Sequence, residues 1–177
     1  MGKIVFITGG ARSGKSRLAE QIAAGYGTPL CYLATAQSLD TEMDRRISIH
    51  RQRRGDAWQT VEEPLDLVRA LNAGDGRFNA ILVDCLTLWL TNLLLLDENP
   101  GKESEERIAG EVQHLTTTLL GMQTPVVIVS NEVGMGIVPE NRLARIFRDI
   151  AGQSNQTVAA AADEVWLVAS GIPLKLK

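Results

Sequence analysis

The sequence is poor in the features that mark disulfide-rich and strongly basic proteins. Its 177 residues include only two cysteines, Cys31 and Cys85, which fall in apolar segments and not in a spaced framework. We therefore expect reduced, packed thiols in a cytosolic protein. The formal net charge is only −3, which argues against nucleic acid or an anionic membrane as the main partner.

Long apolar runs are also missing. The most apolar stretch, residues 86–96, contains two threonines and an asparagine and reaches about half the length that a membrane span needs. No signal peptide is expected, because the first three residues lead directly into a strand-like run. Repeats and low-complexity tails are absent from the sequence. We expect a cytoplasmic protein without a membrane span, folded as a single domain over residues 1–177.

What the sequence does contain is a phosphate-binding motif near its start. Four residues have the spacing G-x-x-x-x-G-K-S: Gly9, Gly14, Lys15 and Ser16. In such a P-loop the backbone N–H groups of a glycine-rich turn bind phosphates, and a helix begins directly afterwards. Lys15 is predicted to reach the β- and γ-phosphates, and Ser16 to ligate Mg²⁺. A glycine turn that binds nothing is disfavoured by the apolar run before it and the helical pattern after it.

Strand-like runs alternate with helical patterns along the chain. Strands are predicted at residues 4–8, 30–34, 58–62, 80–84, 125–130 and 164–169. Helices are predicted from residue 17 to 24, from residue 40 or 41 to about 54, over 65–71, through 89–93, and at 103–120, 140–150 and 153–163. This alternation predicts an α/β fold, a three-layer sandwich with a mostly parallel central sheet, of the P-loop NTPase (RecA-like) class.

Ligands of such sheets bind beyond the carboxyl ends of the strands. That rule brings the P-loop together with Thr35, Glu62, Asp84 and residues 131–132. Asp84 closes an apolar strand and is predicted to hold Mg²⁺ beside Ser16, directly or through water. The alternative is an aspartate that only caps its strand. Glu62 is interpreted equally well as a ribose or base contact and as a solvated side chain.

His50 stands in the most basic part of the chain. Five arginines occur within residues 45–54. Nearby cations disfavour an imidazolium, so His50 is predicted to be neutral and nucleophilic, while the guanidinium groups can receive a polyphosphate. A solvated basic helix face is the alternative. The other histidine, His114, falls among apolar positions and is expected to be structural. The arginine stripe Arg142, Arg145 and Arg148 is interpreted equally well as a contact to phosphate or substrate and as a surface or subunit contact.

Five segments carry a resemblance to a known family: residues 8–17, 32–36, 46–54, 84–94 and 131–152. The most specific is Asn-Glu-Val-Gly-Met-Gly-Ile-Val-Pro at 131–139. Together they are similar to the bifunctional adenosylcobinamide kinase / adenosylcobinamide-phosphate guanylyltransferases of cobalamin biosynthesis. Two departures are visible, Gly55 where proline is frequent and Asp84 where some members carry glutamate, and neither removes a functional group.

The resemblance implies an activity. The protein would phosphorylate adenosylcobinamide with ATP or GTP, then transfer GMP from GTP to adenosylcobinamide phosphate through a guanylyl-histidine formed on His50, giving adenosylcobinamide-GDP and pyrophosphate. It also implies a Mg²⁺-dependent cytoplasmic homo-oligomer, with trimers known in the family. The implied nucleotide-binding residues are Gly9, Gly10, Ala11, Arg12, Ser13, Gly14, Lys15, Ser16, Ala34, Thr35, Ala36, Arg51, Gln52, Arg53, Arg54, Glu62 and Asp84.

Two rival functions use the same motif. A single-function P-loop kinase of a small metabolite would need Lys15, Ser16 and Asp84 and would leave His50 a bystander. A nucleotide-dependent switch would bind GTP or ATP and hydrolyse it slowly. The N-K-x-D motif with which G proteins read guanine is absent from the sequence, which argues against the switch.

Overall fold

The computed structural model describes residues 1–36 and 57–177. Seven strands of this part form one sheet: β1 (Ile4–Gly9), β2 (Leu30–Ala34), β3 (Trp58–Glu62), β4 (Ala80–Asp84), β5 (Val126–Val129), β6 (Glu164–Ala169) and β7 (Ile172–Lys175). Their order is β3-β2-β4-β5-β1-β6-β7. Strands β1 to β6 are parallel, and β7 pairs antiparallel with β6.

Helices cover both faces of this sheet. In the described ranges they are α1 (Lys15–Ala24), α2 (Leu67–Gly74), α3 (Leu86–Leu94), α4 (Lys102–Gly121) and α5 (Arg142–Ala161). Successive strand residues point to opposite faces, so Phe6 packs on the side of α2 to α5 while Ile7 packs on the side of α1. The predicted three-layer α/β sandwich is thus confirmed, with its core in two apolar layers. No helix of the described residues is long and apolar enough to cross a membrane.

Two sequence predictions need correction at the end of the chain. The helices predicted at 140–150 and 153–163 are a single helix, Arg142–Ala161. Gly152 does not break it, because apolar residues on either side, Ile150 and Val158 among them, are buried in the core and packing outweighs the low helix propensity of one glycine. Residues 172–175, not predicted as a strand, form β7 after a turn in which Ser170 and Gly171 have φ of 53° and 82°.

The parallel register aligns the carboxyl ends of five strands at one edge of the sheet. In one row across these strands lie Glu62, Ala34, Asp84, Val129 and Ile7. The segments that follow them, including the P-loop, therefore leave the sheet at the same edge, as predicted. The predicted basic helix from residue 40 or 41 to about 54 falls outside the described residues.

Candidate active site

The P-loop begins where β1 meets its neighbour β6. A Cβ added to Gly9 would lie 2.3 Å from the carbonyl oxygen of Val168, so this position accepts only glycine. Gly14 ends the loop with a φ of 102° and is the N-cap of α1. The turn of the β6–β7 hairpin supports the loop from outside, since the N–H of Gly171 donates to the Ser13 carbonyl at 2.8 Å. The loop is thus held by its neighbours in the sheet as well as by its own glycines.

Lys15 is the most buried cation of this loop, with 6% of its surface exposed. Its Nζ donates a hydrogen bond to the Gly10 carbonyl at 2.7 Å, across the loop. Burial lowers the pKa of Lys15, while the negative charge of Asp84 acts in the opposite direction. The ammonium group is therefore held over the loop, in reach of any anion that the loop binds.

A cleft of about 510 Å³ opens beside the P-loop. It is lined by Ala11, Arg12, Ser13, Gly14, Lys15, Ser16, Arg17, Asp84, Cys85, Val129 and Asn131. Seven of these are predicted nucleotide-binding residues, Ala11 to Ser16 and Asp84. The hydroxyl of Ser13 is buried with no hydrogen-bond partner among the described residues. A buried, unpaired hydroxyl in a glycine-rich loop fits a phosphate oxygen as its partner.

Asp84 and Ser16 line the same cleft. The hydroxyl of Tyr32 donates to Oδ2 of Asp84 at 3.1 Å, which orients that carboxylate. Within the described ranges, no group of three or more histidine, cysteine, aspartate or glutamate side chains could hold a metal by itself. A hydroxyl and a single carboxylate are a donor set that suits Mg²⁺, which usually keeps waters and takes other ligands from substrate phosphates.

Thr35 is buried and all its polar groups are occupied. Its hydroxyl donates to the Cys85 carbonyl at 2.7 Å and accepts from the Cys85 N–H at 2.8 Å. Its N–H donates to the Asp84 carbonyl, and its own carbonyl accepts from Nδ2 of Asn92 at 2.9 Å. Asn92 also donates to the Pro64 carbonyl at 2.9 Å. Thr35 and Asn92 thus join the ends of β2, β3 and β4.

Other predicted residues lie away from the cleft lining. Gly9 and Gly10 form the start of the loop, Ala34 and Ala36 flank Thr35, and Glu62 is exposed at the end of the edge strand β3. The carboxyl end of β2 separates Glu62 from Asp84. His50 and residues 51–54 belong to the part of the chain that the structure does not describe.

Two remaining candidates, His114 and Arg145, do not line the cleft. His114 lies on the exposed face of α4, opposite the buried Val112 and Leu115. Arg145 donates to the carbonyls of Pro139 and Glu140 at 3.0 and 2.6 Å, so its guanidinium holds the loop before α5. Sequence reasoning placed residues 131–132 at this edge of the sheet, and the cleft lining includes Asn131. It did not single out Tyr32 or Asn92, because only the sheet brings them to the site.

A P-loop at the carboxyl edge of a mostly parallel sheet, with a carboxylate at the end of a nearby strand, defines a P-loop NTPase. The RadB recombinase has a similar fold, with a TM-score of 0.53 at 14% identity over 94% of this chain and 74% of that one. The model of the family "Cobinamide kinase / cobinamide phosphate guanyltransferase" matches residues 5–176. The chain belongs to this family.

Two relatives match over nearly their full length. The bifunctional adenosylcobalamin biosynthesis protein CobU of Salmonella typhimurium is 49% identical over 98% of this chain and 99% of its own. The corresponding protein CobP of Pseudomonas aeruginosa is 46% identical over 97% and 95%. The family confirms the prediction of a bifunctional cobinamide kinase and guanylyltransferase of cobalamin biosynthesis, and it disfavours the single-function kinase and the switch.

Proposed function

We propose that one nucleotide site serves both reactions, and that its triphosphate occupies the P-loop. The observation that carries this proposal is the presence of Lys15, Ser16 and Asp84 on one cleft. The Ser13 hydroxyl beside them has no hydrogen-bond partner in the described part of the chain. Backbone N–H groups of the loop and the Lys15 ammonium would bind the β- and γ-phosphates. The substrates are adenosylcobinamide in the first step and its phosphate in the second.

In the kinase step the substrate hydroxyl oxygen forms a bond to the γ-phosphorus. The bond from that phosphorus to the β–γ bridging oxygen breaks, and the nucleoside diphosphate leaves with the electron pair. The hydroxyl proton passes to an oxygen of the transferred phosphoryl group and then to solvent. Lys15 stabilises the negative charge on the phosphate oxygens during this step.

Mg²⁺ is proposed as the cofactor of both steps. Ser16 and Asp84 would hold it, and when bound it neutralises phosphate charge. Tyr32 keeps the Asp84 carboxylate in one orientation through its hydroxyl.

In the guanylyltransferase step His50 is the proposed nucleophile. A lone pair of its neutral imidazole forms a bond to the α-phosphorus of GTP, and pyrophosphate leaves with the electrons of the broken P–O bond. A phosphate oxygen of adenosylcobinamide phosphate then displaces the imidazole, giving adenosylcobinamide-GDP and free His50. Its position among the arginines at 45–54 supports this assignment, because cations keep the imidazole neutral and attract the triphosphate.

The test uses GTP labelled at either the α- or the γ-phosphate. After incubation and denaturation, we expect acid-labile, base-stable α-label on the wild-type protein, and none on His50→Ala. Because the chain has only two histidines, His114→Ala is a matched control and should retain the label. Kinase turnover should survive at least in part in His50→Ala.

Two other results would contradict the role of His50. Equal α-label on His50→Ala would place the nucleophile elsewhere. Wild-type protein that transfers γ-phosphate but never retains α-label would instead favour direct transfer of GMP without a covalent intermediate.

A cytoplasmic homo-oligomer, a trimer, is part of the same proposal. Three apolar side chains of the loop before α5 support self-association, since Met135, Ile137 and Val138 are 79%, 96% and 58% exposed, whereas the number three follows from the family resemblance. Light scattering coupled to size-exclusion chromatography would measure the mass, and a monomer at micromolar concentration would contradict it.

A further inference from the structure

Strand β5 lies between the two strands that carry the phosphate-binding and carboxylate groups. Its last residue, Val129, pairs with Asp84 on one side and with Ile7 of β1 on the other. Two residues further on, Asn131 lines the same cleft as Lys15 and Asp84. The N–H of Glu132 donates to the Gly9 carbonyl at 3.0 Å, so the segment follows the start of the P-loop closely.

A closed ring of hydrogen bonds fixes the backbone of Asn131. Its N–H donates to the Thr87 hydroxyl at 2.6 Å, and its carbonyl accepts from Nδ2 of Asn155 at 3.3 Å. The Ser130 hydroxyl donates to Oδ1 of Asn155 at 2.7 Å and lies 3.2 Å from the Thr87 hydroxyl. Since the Ser130 proton is used toward Asn155, Thr87 is the donor to Ser130. The side-chain polar groups of Thr87, Ser130 and Asn155 that form this ring each have a hydrogen-bond partner.

The three side chains of this ring are buried. Thr87, Ser130 and Asn155 are 6%, 0% and 8% exposed. Buried polar groups rarely stabilise a fold more than apolar residues of the same size would, and a satisfied network mainly specifies one geometry. The geometry specified here is the position of the Asn131 Cα at the wall of the cleft.

The side chain of Asn131 is not used by this ring. It makes no hydrogen bond to any other residue of the described ranges. A side-chain amide is therefore held by a fixed backbone, without a partner among the described residues, between the P-loop and the carboxylate that would hold Mg²⁺.

We propose that Asn131 is a further catalytic residue, whose Nδ2 donates a hydrogen bond to an oxygen of the γ-phosphate. The inference rests on the proposed placement of the triphosphate in the P-loop. As the substrate oxygen bonds to the γ-phosphorus and the nucleoside diphosphate leaves with the electron pair, this donor stabilises charge on the transferred group. Asn131 takes up no proton. Thr87, Ser130 and Asn155 are positioning residues that act through its backbone.

The test compares GTP with GDP, which differ by the group that Asn131 contacts. In the Asn131→Ala variant we expect the affinity for GTP to fall about tenfold, because a hydrogen bond to a charged oxygen is lost, while that for GDP changes by less than about twofold. Single-turnover transfer of the γ-phosphate should slow by about 10²-fold. Isothermal titration calorimetry and quenched-flow measurements give these values.

Two further variants make the result decisive. The control variant Asn79→Ala removes another asparagine amide. Asn79 directly precedes β4, at the end of the sheet opposite the P-loop, and its Nδ2 donates to the Thr28 carbonyl. This variant should leave the ratio of GTP to GDP affinity unchanged. Lys15→Ala should weaken both nucleotides, and if it changes neither, then the placement in the P-loop is wrong and not the role of Asn131. Equal losses for GTP and GDP in Asn131→Ala, or no loss for either, would overturn the proposal.

Discussion

The hydroxyl of Tyr32 donates a hydrogen bond to Oδ2 of Asp84 at 3.1 Å, between neighbouring strands β2 and β4. Tyr32 is itself 7% exposed, so its ring is fixed by the core. This hydrogen bond fixes the orientation of the Asp84 carboxylate through Oδ2 and leaves Oδ1 available to a cation. Partners of this kind tune metal affinity without touching the metal.

Replacement of Tyr32 by phenylalanine should therefore weaken the response to Mg²⁺. We expect the Mg²⁺ concentration for half-maximal GTP binding to rise about tenfold, with little change in GTP affinity when Mg²⁺ is absent. Titration calorimetry in the presence and absence of Mg²⁺ measures both quantities. The other tyrosine, Tyr26, lies just after α1, and Tyr26→Phe serves as the control. A loss of GTP affinity that is the same without Mg²⁺ would contradict the assigned role.

The two adjacent glycines of the P-loop should respond differently to alanine. At Gly9 a Cβ would lie 2.3 Å from the Val168 carbonyl oxygen, whereas at Gly10 it would meet nothing within 4 Å. We expect Gly9→Ala to lower the free energy of unfolding by about 2–4 kcal/mol, because β1 or β6 must move. Gly10→Ala should change it by less than about 1 kcal/mol. Urea unfolding followed by tryptophan fluorescence tests this pair, and similar losses would show that the contact with β6 is not limiting.

An ion cluster joins the first strand to the last hairpin. Glu164 accepts from Lys3 at 2.8 Å, from Lys175 at 2.9 Å and from the indole of Trp166 at 3.2 Å. These hydrogen bonds lower the pKa of Glu164 from 4.5 to about 2, and the bond from Lys3 has the largest effect. Since the folded pKa lies below the unfolded one, the stabilisation is present above about pH 5 and is lost as the pH falls toward 2.

The Glu164→Gln variant should reveal that pH dependence. At pH 7 we expect it to be less stable than wild type by about 1 kcal/mol, as for a partly exposed ion cluster, and the difference should shrink toward zero near pH 2. Thermal unfolding between pH 2 and 7 measures it. Glu111 is exposed on α4 and has no ion pair with another described residue, so Glu111→Gln is the control. A stability difference that does not vary with pH would refute the linkage.

Both thiols should be unreactive in the folded protein. Burial raises the pKa of Cys31 and of Cys85 to about 11, and at Cys85 the negative charge of Asp84 adds to the effect. At pH 8 the thiolate fraction is then on the order of one in a thousand. We expect a thiol-specific disulfide reagent to modify neither cysteine of the native protein within minutes. In about 8 M urea, which unfolds most domains of this size, both cysteines should react immediately. Rapid modification of the native protein would show that one thiol is accessible.

Local motifs made the central part of the site predictable. The P-loop spacing and the run that ends at Asp84 each lie within one short segment, and the structure places their residues on one cleft. The strands predicted at 4–8, 30–34 and 80–84 were also predictable, because buried parallel strands are continuous apolar runs. The strand at 58–62 was predicted as well, although it is a half-exposed edge strand with a mixed sequence. The division of α5 into helices at 140–150 and 153–163 was predicted wrongly, since propensity alone does not include the packing of α5 on α4.

By itself, the sequence determined the nucleotide-binding class, the alternation of strands and helices, and the family, because all three are written in residues close to one another along the chain. The strand-end rule already assigned Thr35 and residues 131–132 to that site, but only the tertiary structure decided the contacts there: Tyr32 with Asp84, Thr35 with Asn92, and Asn131 between the P-loop and the carboxylate. The physical reason is the strand order. Parallel pairing brings β5, which is remote in sequence, between β4 and β1, and no local pattern encodes a neighbour that pairing alone supplies.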